Sequence, residues 1–237
     1  MLHKLKQAAH ALLAIPKEIH AIRYLRRTKD LRIKNSAVPY VSQFATPELI
    51  DDILNGKIPA DQDPNWEVFG YETKSESGFW ATRQCGVACA KMLIDTRAKT
   101  DVSMAQLCKE CEMIGGYNRA MDTGWYYKPL AQLLRSYGLR TSIASHLSIN
   151  RLVMSIANGA NVIASVNPQI IRDDENITNT ERSGHLVLVV GFEIKNHQIQ
   201  NLIIHNPSGR TKQSRVFATV PASRFISSYG KLGIIVY

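Results

Sequence analysis

A change of hydrophobic period near residue 160 constrains the fold of this chain more than any other feature. Before it, apolar residues recur at helical spacing over residues 85–95, 103–113, 127–137 and 148–158. Ser103 is placed to cap the second of these, and Gly138 and Gly159 close the last two. After it come short Val- and Ile-rich runs bounded by Gly, Asn, Pro or Ser, over residues 161–166, 186–193, 199–205, 215–220 and 232–237. Helices first and strands afterwards predict an α+β domain, a helical half packed on a mainly antiparallel sheet, rather than a doubly wound βαβ fold. Residues 35–84 read as irregular, with a short strand over 38–41, a short helix over 47–54 and a turn-rich loop over 61–66.

The chain has 237 residues, enough for one sizeable core, and shows no solenoid-type repeat. Its formal charge of +9 is concentrated at one end: residues 1–34 hold nine basic against two acidic side chains, a net of +7. The body is therefore close to neutral and shows no nucleic-acid motif, which argues against nucleic acid as a partner. No stretch reaches the roughly 18 apolar residues of a spanning helix. Within the basic end, Leu2, Leu5, Ala9, Leu12, Leu13, Ile19, Ile22 and Leu25 recur near helical spacing. Residues 2–27 thus read as one or two amphipathic helices broken near Pro16, suited either to packing on the protein's own body or to peripheral contact with an anionic membrane. The expected division is a helical extension over 1–34 and a domain over 35–237, in a cytoplasmic protein that could sit at the membrane periphery. The N-terminal apolar run is interrupted by His10 and lacks a clean cleavage site, a poor signal peptide though not an excluded one.

Three local sequences carry chemistry. In Arg-Gln-Cys-Gly-Val-Ala-Cys-Ala-Lys-Met, residues 83–92, Cys85 stands where a loop becomes a helix. There, unsatisfied N–H groups and the positive end of the helix dipole favour thiolate and can serve as an oxyanion hole. In Ser-Gly-His-Leu-Val-Leu-Val-Val-Gly-Phe, residues 183–192, His185 opens an apolar strand. In Leu-Ile-Ile-His-Asn-Pro-Ser-Gly, residues 202–209, Asn206 ends the next. If these two strands pair around a turn at Asn196 and His197, His185 and Asn206 fall at the same end of the hairpin. An asparagine there fixes the imidazole tautomer and turns the other ring nitrogen towards sulfur.

Together, Cys-Gly-x-Ala-Cys-x-x-Met, then Gly-His before a valine-rich strand and glycine, then a strand ending in Asn-Pro, resemble the bacteriocin-processing, double-glycine leader peptidases and their stand-alone relatives. The resemblance spans about residues 38–237 and implies a papain-like cysteine peptidase fold, with Cys85 as nucleophile, His185 as base and Asn206 as orienting residue. It further implies a peptide or protein substrate, cleavage after a small-residue pair such as Gly-Gly, and no metal or organic cofactor. Such families often carry aspartate at the third position, so Asn206 would stabilise imidazolium less. Their oxyanion glutamine stands several residues before the nucleophile, where this chain has Gly78, Phe79, Trp80 and Ala81. Gln43 is the preferred substitute and Gln84 the alternative.

Other readings compete for the same residues. Cys85, Cys89, Cys108 and Cys111 could close a tetrahedral zinc site, or Cys108 and Cys111 a redox pair, although both pairs fall in predicted helices. An even cysteine count also admits disulfides. His205 adjoins Asn206, but neighbouring strand residues face opposite ways, so only one of them can approach Cys85. His3, His10 and His20 belong to the N-terminal helix. The polar run Asn167 to Gly184, with Arg172, Asp173, Asp174, Glu175 and Arg182, reads either as a lid over the substrate groove or as a solvated loop. A papain-like module that binds peptides without cleaving them, tethered through the basic helix, is the alternative to a hydrolase.

Overall fold

A computed structural model describes residues 2–97, 101–171 and 182–237, with side chains described from residue 15 onward except at 171. In chain order the regular elements are α1 (Leu2–Arg27), β1 (Leu31–Lys34), α2 (Ile50–Leu54), α3 (Lys74–Ala81), α4 (Cys85–Arg97), α5 (Met104–Met113) and α6 (Tyr127–Ser136). They continue as β2 (Thr141–Ser145), α7 (Ile149–Ala157), β3 (Asn161–Val166), β4 (His185–Lys195), β5 (Gln198–His205), α8 (Lys212–Arg215), β6 (Ala218–Pro221), α9 (Ala222–Ser228) and β7 (Tyr229–Val236).

Among the described residues the strands form one antiparallel sheet in the order β2-β7-β3-β4-β5-β6, and β1 pairs with the far half of β4 beyond the end of β3. The first eight residues of β4 are all buried, and alternate side chains divide between two cores. Leu186, Leu188 and Val190 meet the helices α4, α5 and α6, whereas Val187, Val189 and Phe192 join the core shared with α7 and α9. A strand covered on both faces has no need of polar alternation, which is why this one reads as an unbroken apolar run. Helix α4 is likewise apolar nearly all round, with Gly86, Val87, Ala88, Cys89, Ala90, Met92, Leu93 and Ile94 buried. A helix of that kind belongs in the interior, and α4 lies between the sheet and the outer helices. Gly191 has a steric reason: a Cβ there would stand 2.2 Å from the carbonyl oxygen of Ile33, so glycine is what admits β1.

The expected helices over 47–54, 85–95, 103–113, 127–137 and 148–158 are present within a few residues. Ser103 and Ser148 cap α5 and α7, accepting from Gln106 N–H and Arg151 N–H. The turn at Asn196 and His197 has both residues at positive φ, 51° and 63°, the primed-turn conformation that matches strand twist. Several expectations are corrected. Residues 38–41 form no strand; α3 lies within the stretch read as irregular; β1, β2 and α9 are additional; and the run 215–220 divides between α8 and β6. Pro16 does not break α1, which is one helix of 26 residues. Its C-terminal half packs on α7, where Glu18 accepts hydrogen bonds from Ser148 and Asn150. No helix among the described residues is long and apolar enough to cross a membrane.

Candidate active site

Cys85 is the first residue of α4 and His185 the first of β4, and both line one cavity of about 430 Å³. They are brought together by Leu186, the residue after His185, whose two backbone groups face two turns of the helix. Its N–H favours the thiolate of Cys85, while the Cys89 thiol, one turn on, donates to its carbonyl oxygen at 3.6 Å. So close an approach requires glycine at 86, since a Cβ there would lie 2.9 Å from Leu186 Cδ1 and 3.0 Å from Trp125 Cδ1.

The hairpin β4–β5 puts Asn206 behind the imidazole, and Asn206 Oδ1 stands 2.8 Å from His185 Nε2. The same oxygen accepts the Ser208 N–H at 3.2 Å, which identifies it as the acceptor and the ring nitrogen as the donor. His185 is therefore the Nε2–H tautomer, and Nδ1 is left free to take a proton. Ser208 Oγ is also within 3.2 Å of Nε2. Burial opposes charge on both groups. It pushes the Cys85 thiol up to about 11, against the lowering effect of the N–H groups of Leu186, Gly86 and Cys85 itself. It pushes His185 down to about 4, against the raising effect of the Asn206 hydrogen bond. Burial therefore disfavours an isolated thiolate and an isolated imidazolium in this site.

Neither glutamine lines the cavity. Gln84 is fully buried; its amide donates to Gln43 O at 2.6 Å, and its oxygen accepts from Tyr71 OH and from the Cys108 thiol. Gln43 donates its amide to Ala81 O at 2.9 Å and its backbone N–H to Pro207 O at 2.9 Å, while its side-chain oxygen is buried without a partner. Tyr40 OH donates to Asn206 O at 3.1 Å. The segment Tyr40 to Gln43 is thus a strap that ties the turn before Cys85 to the residues behind His185.

His205 turns away from the cavity: its Nδ1 accepts from Phe217 N–H at 3.2 Å and its Nε2 donates to Val38 O at 3.1 Å. The four cysteines are free and do not assemble a zinc site; Cys89 and Cys108 have the partners just described, and Cys111 is buried in the core. Among the described residues, no group of three or more His, Cys, Asp or Glu side chains is placed to hold a metal. Arg172, Asp173, Asp174 and Glu175 of the expected lid lie outside the described residues, while Ser183 and Gly184 at its end line the cavity.

The opposite wall escaped the sequence. Trp125 stacks on Trp80 with ring centroids 5.3 Å apart and donates its indole N–H to Arg83 O at 2.7 Å. Arg83 makes a two-point ion pair with Asp122, at 2.9 and 2.7 Å, and Tyr117 OH also donates to that carboxylate. The available signal was the turn Asp122-Thr123-Gly124 followed by Trp125-Tyr126-Tyr127, an aromatic cluster directly after a turn.

Comparison with solved structures finds a putative C39-like peptidase from Bacillus anthracis at 18% identity and a TM-score of 0.53, with 88% of this chain and 98% of that one covered. Two further likenesses are to a double-glycine-motif protease of an AMS/PCAT transporter, solved with its leader peptide, and to the peptidase domain of Streptococcus ComA, a bi-functional ABC transporter of a quorum-sensing pathway. Each is 18% identical and covers 65% of this chain, with 84% of the first and 91% of the second covered and TM-scores of 0.41 and 0.43. The first comparison fixes the papain-like α+β fold. A comparison with curated proteins finds no match. The model of the Peptidase_C39 like family matches residues 36–235, nearly the whole body of the protein, and the chain belongs to that family.

Proposed function

We propose that the protein is a cysteine peptidase in which Cys85 is the nucleophile, His185 the acid–base and Asn206 the residue that holds the imidazole. The observation that carries this reading is the Asn206–His185 hydrogen bond of 2.8 Å behind an imidazole that shares one cavity with a thiol at the mouth of a helix. Proton transfer from Cys85 to His185 Nδ1 gives thiolate and imidazolium. The thiolate adds to a peptide carbonyl, forming the C–S bond. As the C–N bond breaks, the imidazolium protonates the leaving amine, and water then releases the acid from the thioester. The oxyanion is met by N–H groups of the first turn of α4, because the Gln43 amide is held by Ala81 O and reaches the cavity only if that bond opens. Trp125 and Leu186 crowd the approach beside Gly86, which suits small side chains at the scissile bond and supports cleavage after a pair such as Gly-Gly.

A second reading, a module that binds peptide without cleaving it, rests on one observation: both glutamines lie outside the cavity. Incubation with a peptide library that includes Gly-Gly sequences, followed by mass spectrometry, separates the two. New termini formed by the wild type and absent with Cys85→Ala support the peptidase; peptide retained uncleaved by both proteins supports the binding module.

A further inference from the structure

Helix α1 carries apolar residues on two opposite sides, and the protein itself uses one of them. At about 100° per residue, the sequence over positions 2–19 groups Leu2, Leu5, Ala9, Leu12, Ile15 and Ile19 on one side of the helix. Over positions 20–27 the pattern inverts. Ala21 and Leu25 fall on the opposite side, and Arg23, Arg26 and Arg27 continue the line of the earlier apolar positions.

The structure shows which side faces the body. Ala21 and Leu25 are buried at 0% and 8% exposure, and Glu18, on that same side, bonds to Ser148 and Asn150 at the start of α7. Ile15 and Ile19 are 50% and 45% exposed, and Arg23, Arg26 and Arg27 are exposed as well. The inversion is therefore a division of labour: Ala21 and Leu25 face the body, while Ile15 and Ile19 face outwards in line with the arginines.

We propose that this outward side lies on an anionic phospholipid surface. Such a surface offers both things the side displays, an acyl boundary for the isoleucines and negative headgroups for the arginines. Glu18, the one acidic residue in α1, is on the body side and so does not oppose that contact. A second copy of the chain fits less well, because pairing two such helices sets arginine and lysine of one against those of the other without a compensating carboxylate. With no helix among the described residues able to cross a membrane, the geometry is that of a helix lying in the interface plane. The inference is independent of the peptidase reading, since binding is measured without turnover.

The test is co-sedimentation of the full chain with phosphatidylglycerol/phosphatidylcholine vesicles and with pure phosphatidylcholine vesicles, alongside light scattering for oligomeric state. The wild type is expected to bind the anionic vesicles only, and less at high salt. Arg23→Gln, Arg26→Gln and Arg27→Gln should each weaken binding by about fivefold. The double variant Ile15→Glu/Ile19→Glu should reduce it at least about tenfold while circular dichroism and Tm stay unchanged. Equal binding to both vesicle types, a double variant that binds like the wild type, or a dimer that the double variant dissolves without any vesicle binding would overturn the proposal.

Discussion

Replacing Asn206 by alanine removes the acceptor on which the site is built, and the structure gives the size of the effect. Oδ1 serves two buried donors, His185 Nε2–H at 2.8 Å and Ser208 N–H at 3.2 Å. A buried donor left without a partner costs about 1–3 kcal/mol. Both are stranded in Asn206→Ala, but Ser208 Oγ, 3.2 Å from Nε2, can take over the imidazole proton. The net loss is then that of one donor, about 2 kcal/mol, or roughly 6 °C in Tm for a chain of this size. Ser208→Ala alone leaves the Asn206–His185 bond intact and should cost much less. In the double variant the imidazole has no acceptor at all, so its loss should exceed the sum of the single losses by about 1 kcal/mol or more. Urea denaturation of the four proteins measures this directly. Additivity, or an Asn206→Ala protein within about 0.5 kcal/mol of the wild type, would show that Ser208 and Asn206 do not share the imidazole N–H.

Two further outcomes follow from the same geometry. Gly86→Ala drives a Cβ to 3.0 Å from Trp125 Cδ1, and the indole cannot retreat without losing its bond to Arg83 O. The variant should lose about 1–3 kcal/mol of stability together with any peptidase activity, and a fully stable variant would show that the wall is softer than drawn. His205 is fully buried, and burial holds it down to about 4. A depressed histidine favours the fold above the ordinary value near 6.5, and that contribution is lost as pH falls from 6.5 towards 4. By pH 4 the loss reaches about 3 kcal/mol. His205→Gln should therefore flatten the pH dependence of unfolding in that window, and an unchanged slope would contradict the assignment.

The sequence made the β4–β5 hairpin legible because its signals are local. An apolar run covered on both faces, a turn with two residues suited to positive φ and a closing Asn-Pro together placed His185 and Asn206 at one end. The serine cap at 103 was equally readable, since a cap acts within four residues. The unread parts depend on distant partners. The strand β2, half exposed, exists because β7 pairs with it, and β1 because Gly191 admits it to β4. The run Val38-Pro39-Tyr40-Val41 looks like a strand, but its groups go elsewhere: Val38 O takes the His205 proton and Tyr40 OH reaches Asn206 O. The locations of Gln43 and Gln84 were beyond reach for the same reason, as their partners come from the turn before Cys85, from Tyr71 and from Pro207.

In the proposed site His185 activates Cys85. The rate of iodoacetamide alkylation at each cysteine near neutral pH, read by peptide mass spectrometry in the wild type and in His185→Ala, reports that activation. Cys85 should react first among the four cysteines, and His185→Ala should slow it to the level of an ordinary thiol. A Cys85 rate that is unaffected by the loss of His185, or no faster than those of Cys89, Cys108 and Cys111, would contradict that activation.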